Sequence, residues 1–136
     1  MPIQRSILIV DDEFGFAEML CEMLRELDYD VAIAINGRLA LELLAERRVD
    51  LVLTDMMMPV MDGSELATAM RASDAHRHIP IVMMTSLPTA PPRESHVFDA
   101  VLRKPFTPEL LLKTLHVCLF ETPAPHRPPR LARGHD

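Results

Sequence analysis

A chain of 136 residues, 49% of them apolar, holds material for one domain that buries about two-thirds of its unfolded surface, and no second domain of ordinary size fits beside it. The formal charge of −6 and sequence pI of 5.5 argue against a general nucleic-acid binder, which needs a basic face to displace counterions; a local basic patch stays compatible with them. The apolar run Ile7 to Val10 is too short for a signal peptide or a membrane span, so no membrane contact is expected and the cytoplasm is the expected compartment. Cys21 and Cys118 lie far apart, each inside a helical pattern, which favours buried free thiols over a disulfide or metal site.

Ser6 to Val10 is an apolar run ended by Asp11-Asp12-Glu13, and reads as a strand buried on both faces that opens into an acidic cluster. From Phe14 to Leu27 the residues Ala17, Leu20, Leu24 and Leu27 recur at helical spacing, with Glu18, Glu22, Arg25 and Glu26 mostly opposite, as in an amphipathic helix. Asp28-Tyr29-Asp30 breaks that helix, Val31 to Ala34 makes a second strand, and Asn36-Gly37 turns into a helix carrying Ala40, Leu41, Leu43 and Leu44. Val49 to Thr54 is the third strand. Pro59 and the turn pair Asp62-Gly63 stop it, so Asp55 sits on its C-terminal lip. An acid there is either a turn former or cap, or a phosphate acceptor or metal ligand, and the stretch alone leaves both open.

A third helix follows Gly63 with Leu66, Ala67 and Met70 facing inward, and Pro80 to Met84 is a fourth strand ended by Thr85-Ser86. Alternation with short connections predicts an α/β fold: a doubly wound parallel sheet with right-handed crossovers. The rhythm breaks between Leu87 and Asp99, where Pro88, Pro91 and Pro92 allow at most a helical stub from about Arg93 to Phe98; the fourth helix is expected to be shortened or missing. Ala100 to Arg103 is a brief fifth strand running into Lys104-Pro105. Thr107-Pro108-Glu109 then starts a last helix that runs to about Phe120, with Thr as cap, Pro in the first turn and an acid at the positive end of the dipole. This helix is apolar almost all round, including Leu112, Val117 and Phe120; extra burial and a homodimer or partner surface weigh about evenly. The domain is expected over residues 1–121. Residues 122–136, with four prolines and three arginines, read as a disordered tail, open to an acidic or proline-recognising partner or to none. Met56, Met58, Met83 and Met84 are expected to pack rather than bind copper, and His76 and His78 to be solvated in a loop.

In an open α/β sheet, ligands bind beyond the carboxyl ends of the strands. The polar residues collect on that rim: Asp11 and Asp12 after the first strand, Asp55 after the third, Thr85 after the fourth, Lys104 after the fifth. Three carboxylates together repel one another unless a hard cation sits between them, and oxygen ligands at this density suit magnesium. Thr85 can donate to a phosphate oxygen and Lys104 supplies a compact positive charge. The set suits in-line phosphoryl transfer to Asp55.

Over roughly residues 4 to 120 the chain resembles the receiver domain of bacterial two-component response regulators. The resemblance is carried by Val10-Asp11-Asp12-Glu13, Thr54-Asp55 with Met58-Pro59 and Asp62-Gly63, Thr85-Ser86, and Lys104-Pro105-Phe106. It implies a flavodoxin-like, five-stranded (βα)5 sheet. It further implies that Asp55 accepts a phosphoryl group from a phosphohistidine of a sensor histidine kinase or histidine phosphotransfer protein. On the same grounds Asp12, Asp55 and the backbone carbonyl of Met57 would bind Mg²⁺, with Asp11 acting through water. Thr85 and Lys104 would bind the phosphoryl oxygens, and the Lys104-Pro105 bond would be cis. The protein would then be no enzyme in the ordinary sense, but a phosphoacceptor that assists its own phosphorylation and dephosphorylation and signals to a protein target.

The chain also departs from that pattern. Receivers carry an aromatic switch residue three places before the lysine, where this chain has Val101. The segment between Thr85 and Lys104 is short and proline-rich, so residues 87–99 are expected to form a mobile loop. Met57 and Leu87 flank the path of an attacking water and cannot orient it, which predicts slow hydrolysis of the phosphoryl group. Two other functions compete with a single-domain phosphoacceptor. One is a receiver-like adaptor that works without phosphorylation. The other is an aspartate-nucleophile phosphatase of the haloacid dehalogenase kind, whose second aspartate is replaced here by Met57.

Overall fold

The structure, a computed structural model, describes residues 4–86, 97–121 and 130–131. Strands and helices alternate as β1 (Ser6–Val10), α1 (Phe14–Glu26), β2 (Asp30–Ala34), α2 (Gly37–Glu46), β3 (Leu51–Asp55), α3 (Gly63–Arg71), β4 (Ile81–Thr85), β5 (Ala100–Arg103) and α4 (Pro108–Phe120). The expected strands are present; β3 begins two residues later than its pattern suggested, and β4 runs through Thr85. Pairing is parallel throughout in the order β2-β1-β3-β4-β5, so this is the doubly wound sheet expected, with its strand order reversing between β1 and β3.

Each strand sends alternate residues to opposite faces, and this builds two apolar layers. Ile7, Ile9, Leu51, Leu53, Val82 and Met84 pack on Ala17, Leu20 and Leu24 of α1 and on Leu111 and Leu115 of α4. Leu8, Val10, Val52, Ile81, Met83 and Val101 pack on Ala40 and Leu44 of α2 and on Leu66, Ala67 and Met70 of α3. Burial on both faces is why these strands read as continuous apolar runs. A fully buried leucine such as Leu24 or Leu53 contributes about 1.5–3 kcal/mol by burial, and its truncation to alanine costs about 2–5 kcal/mol. Cys21 and Cys118 are buried in the first layer and form no disulfide. The methionines act as packing: Met83 and Met84 are core, and Met56 and Met58 lie partly buried against the second layer.

Among the described residues no helix lies between β4 and β5. Residues 87–96 of the expected loop and stub lie outside the described residues; Val97, Phe98 and Asp99 lie within them and are held. Val97 and Phe98 are buried in the second layer. Arg71, at the end of α3, donates to the carbonyls of Val97 (3.0 Å), Arg77 (2.7 Å) and Ile79 (2.8 Å) and to Asp99 Oδ2 (2.7 Å). Asp99 Oδ2 also accepts from the Ile81 backbone at 2.7 Å. One guanidinium therefore satisfies three carbonyls and clamps the starts of β4 and β5 to α3.

Four expectations need correction or completion. Leu27 is 49% exposed rather than inward, because Asp28 takes a left-handed φ of 69° and ends α1 at Glu26, swinging Leu27 off the buried stripe. His76 is not a solvated loop residue: it is half-buried, with Nε2 3.1 Å from the Leu44 carbonyl at the end of α2. Thr107 caps α4 as expected, accepting from the Leu110 backbone at 3.1 Å, but Leu112 and Leu119 pack partly on the core, leaving Phe120 as an exposed apolar residue of that helix. Finally, Arg130–Leu131 forms a short β6 that pairs in parallel with Ala100 and Val101, so the tail supplies a sixth strand to the otherwise open edge of β5. The rest of the expected disordered tail lies outside the described residues.

Candidate functional site

The carboxyl ends of β1, β3, β4 and β5 bring together the residues that sequence order keeps far apart. Asp11 is fully buried just past β1; its N–H donates to the Ala34 carbonyl at 3.0 Å, and its Oδ1 accepts from the Glu13 backbone at 2.9 Å. Those two bonds fix the acidic turn, leaving Asp12 and Glu13 exposed. Asp55 ends β3 with its side chain 16% exposed. Carboxylate oxygens of Asp11, Asp12 and Asp55 lie within 4.8 Å of one another.

Lys104 follows β5, and its backbone N–H donates to the Thr85 carbonyl at 2.7 Å, which ties the ends of β4 and β5 together. The Lys104-Pro105 bond is cis, as expected. The lysine Nζ reaches back over the rim to lie 3.3 Å from Asp55 Oδ1 and 3.5 Å from Asp11 Oδ2. An open cleft of about 640 Å³ is lined by Asp12, Asp55, Met57, Thr85 and Lys104, together with Glu13, Met56 and Ser86. Every site residue expected from the sequence lines this cleft except Asp11, which lies beneath it.

Electrostatics in the cluster are unbalanced. Burial pushes the Asp55 carboxyl above its ordinary value, neighbouring Asp11 pushes the same way, and the Lys104 ammonium opposes both without cancelling them. Three carboxylates facing one ammonium leave room for further positive charge, and an all-oxygen donor set at this spacing fits one hard divalent cation.

The loop after Asp55 is shaped by close backbone approach. The Gly63 N–H donates to the Met56 carbonyl at 2.9 Å, and a Cβ at Gly63 would collide with the Asp55 carbonyl oxygen and lie 3.1 Å from Met56 Cα. Only glycine lets α3 begin directly against the C-terminal lip of β3. Asp62 and Glu65 then close a capping box, with the Glu65 N–H donating to Asp62 at 2.8 Å and the Asp62 N–H to Glu65 at 3.0 Å. The loop is anchored on α2 through the Gly37 N–H, which donates to the Met61 carbonyl at 3.0 Å.

Sequence reasoning missed Phe16. Its ring lies under Lys104, with the ammonium 4.5 Å from the ring centroid, and Phe106 meets it edge-on at 6.1 Å. No periodicity marks it: Phe16 stands in the first turn of α1, just past the acidic turn and off the buried stripe of Ala17, Leu20, Cys21 and Leu24.

Residues 7–116 match the family model described as the response regulator receiver domain. A response regulator receiver protein of Anaeromyxobacter sp. (strain Fw109-5) is 51% identical over 70 residues, which is 52% of this chain and 29% of that protein. The chain spans about half or less of the length of the curated relatives it matches. The chemotaxis response regulator CheY4 of Vibrio cholerae superposes with a TM-score of 0.80 at 36% identity, covering 86% of this chain and 100% of that one. The receiver domain of the sensor histidine kinase PA1611 from Pseudomonas aeruginosa PAO1, solved with a magnesium ion coordinated in its active-site cleft, does so with a TM-score of 0.78 at 28% identity, covering 86% and 98%. With its sheet order, its strand-end residues and these matches in agreement, the chain belongs to the response regulator receiver family of two-component systems.

Proposed function

We propose that Asp55 accepts a phosphoryl group from a phosphohistidine on a sensor histidine kinase or histidine phosphotransfer protein, and that the chain passes this state on through protein contacts. The observation that carries the reading is the carboxylate of Asp55 standing at the open cleft, 3.3 Å from the Lys104 ammonium and within one cluster with Asp11 and Asp12. An Asp55 oxygen attacks phosphorus in line, the bond from phosphorus to the histidine nitrogen breaks, and an acyl phosphate forms. Lys104 moves from the Asp55 carboxylate to a phosphoryl oxygen, and the Thr85 hydroxyl donates to another. Asp11, Asp12, Asp55 and the backbone carbonyl of Met57 would hold Mg²⁺, which supplies positive charge to the phosphoryl oxygens. The magnesium-bearing receiver domain of PA1611 supports this assignment.

On this reading residues 1–121 are the receiver and 122–136 an appendage, the setting is the cytoplasm, and Phe120 with the outer face of α4 serves a downstream protein or a second copy. One observation favours a second reading, a phosphorylation-independent adaptor: Val101 is 2% exposed and β-branched, so no aromatic ring swings at that place on β5. The phosphatase reading has no such support, since an exposed methionine at position 57 cannot act as a general acid. Incubation with acetyl phosphate and Mg²⁺ separates the readings. A mass gain of one phosphoryl group that disappears in Asp55→Asn supports the first; an unmodified chain that still binds its partner supports the adaptor.

A further inference from the structure

Beside the acidic cleft runs a second groove of about 540 Å³, almost wholly apolar, whose lining includes Phe16, Met19, Met23, Phe106 and Leu111. Lys104 lines both spaces. Its side chain, 19% exposed, stands at the boundary with carboxylates on one side and an aromatic face on the other. A lysine ammonium on a four-carbon stem is free to swing, and a position at the mouth of two open spaces gives it somewhere to go. Phe16 closes the apolar side. Its ring lies 4.5 Å from Nζ, and Phe106, set at 73° to it, meets the ring by its edge and fixes its tilt.

Packing alone does not account for this aromatic. The buried stripe of α1 is Ala17, Leu20, Cys21 and Leu24; Phe16 lies off it and is only partly buried against the first core layer. What the ring does supply is attraction for a cation without consuming a hydrogen bond. The three N–H groups of Lys104 stay available for oxygen atoms, so the ammonium can exchange the Asp55 carboxylate for a phosphoryl oxygen while staying over the ring.

We infer that Phe16, held edge-on by Phe106, is the positioning residue for Lys104: an aromatic seat that keeps the ammonium over the cleft as Asp55 changes from carboxylate to acyl phosphate. This rests on Asp55 being the phosphoacceptor. The seat acts only through Lys104, so removing it weakens the clamp on the phosphoryl group and leaves the acidic cation site intact. Lys104 also repels a cation near Asp55, so a loosened lysine leaves Mg²⁺ binding unchanged or slightly tighter.

The test uses the full chain, magnesium chloride and beryllofluoride as the phosphoryl mimic, with binding of Mg²⁺ alone measured separately. Phe16→Leu, which keeps apolar bulk and removes the ring, is expected to weaken beryllofluoride binding about 3- to 10-fold, the range of a partly exposed cation–π contact, without weakening Mg²⁺. Phe16→Tyr restores beryllofluoride binding. In a Lys104→Met background, Phe16→Leu has no further effect. Equal losses for Mg²⁺ and beryllofluoride, a loss that persists without Lys104, failure of tyrosine to restore binding, or no loss at all would each overturn the seat. Absence of Mg²⁺-dependent beryllofluoride binding in the unsubstituted chain overturns the phosphoacceptor reading itself, and the seat with it.

Discussion

Arg71 donates to Asp99 at 2.7 Å across a gap of 28 residues, and that pair ties the end of α3 to the residue that leads into β5. The same guanidinium holds three backbone carbonyls, two of them part-buried, so its removal takes a donor from each at once and leaves the Asp99 carboxylate with the Ile81 N–H but without its counter-charge. Arg71→Ala is expected to destabilise the fold by about 2–4 kcal/mol in urea unfolding. Arg71→Lys keeps the charge but not the planar fork, and is expected to lose more than half as much. Full stability in both variants would show that Asp99 and the carbonyls find other partners.

Val60 holds a φ of 69° while 73% exposed, and the Met61 N–H donates across it to the Pro59 carbonyl at 2.7 Å. A β-branched residue at the centre of such a γ-turn is strained, and no buried contact compensates at that exposure. Val60→Asn is expected to raise stability by about 1 kcal/mol, and Val60→Gly by somewhat less because glycine also loosens the unfolded chain. An unchanged denaturant midpoint in both would remove the strain from the account.

Without Mg²⁺, the raised Asp55 pKa makes stability depend on pH in a definite direction. Between the ordinary value of 3.8 and its raised value, the native state keeps a proton that the unfolded chain has released. Asp55 therefore favours the native state below 3.8, and that contribution is lost as pH rises through the raised value. At neutral pH the crowded carboxylate is a burden, and Asp55→Asn is expected to melt higher than the unsubstituted chain. The difference should shrink as pH falls toward 3.8. A difference that grows on acidification would reverse the sign argued here.

Met57, 65% exposed on the cleft rim, offers no hydrogen bond to a water approaching the acyl phosphate proposed at Asp55. Met57→Asn adds an amide that can orient it. Phosphoryl decay several-fold faster is the expected result, read by loss of the modified mass after donor removal; slower decay would contradict it. Leu87, the other residue expected to matter, lies outside the described residues.

Much of this arrangement is legible in the amino-acid sequence. Strands buried on both faces leave unbroken apolar runs such as Ile7 to Val10, and the residues that end these runs, Asp11, Asp55, Thr85 and Lys104, are the ones the fold gathers at one rim. Periodicity reports repeated burial. It does not report single long-range contacts, which is why the Arg71 clamp, the His76 bond to Leu44 and the Lys104 contact with Phe16 were absent from the pattern. Leu27 fitted the helical period and still left the core, because the local turn at Asp28 outweighed it. The strand at Arg130–Leu131 was hidden by composition: prolines and arginines read as disorder, whereas an unpaired edge on β5 accepts a backbone almost regardless of side chain.

The central claim is that Asp55, among three neighbouring carboxylates, is the one that carries the phosphoryl group. Borohydride reduces an acyl phosphate to an alcohol and so marks the modified aspartate permanently as homoserine. After treatment with acetyl phosphate and Mg²⁺, followed by borohydride and peptide mass mapping, homoserine is expected at position 55 and not at positions 11 or 12. Homoserine at Asp11 or Asp12, or at no carboxylate of the chain, would contradict the account.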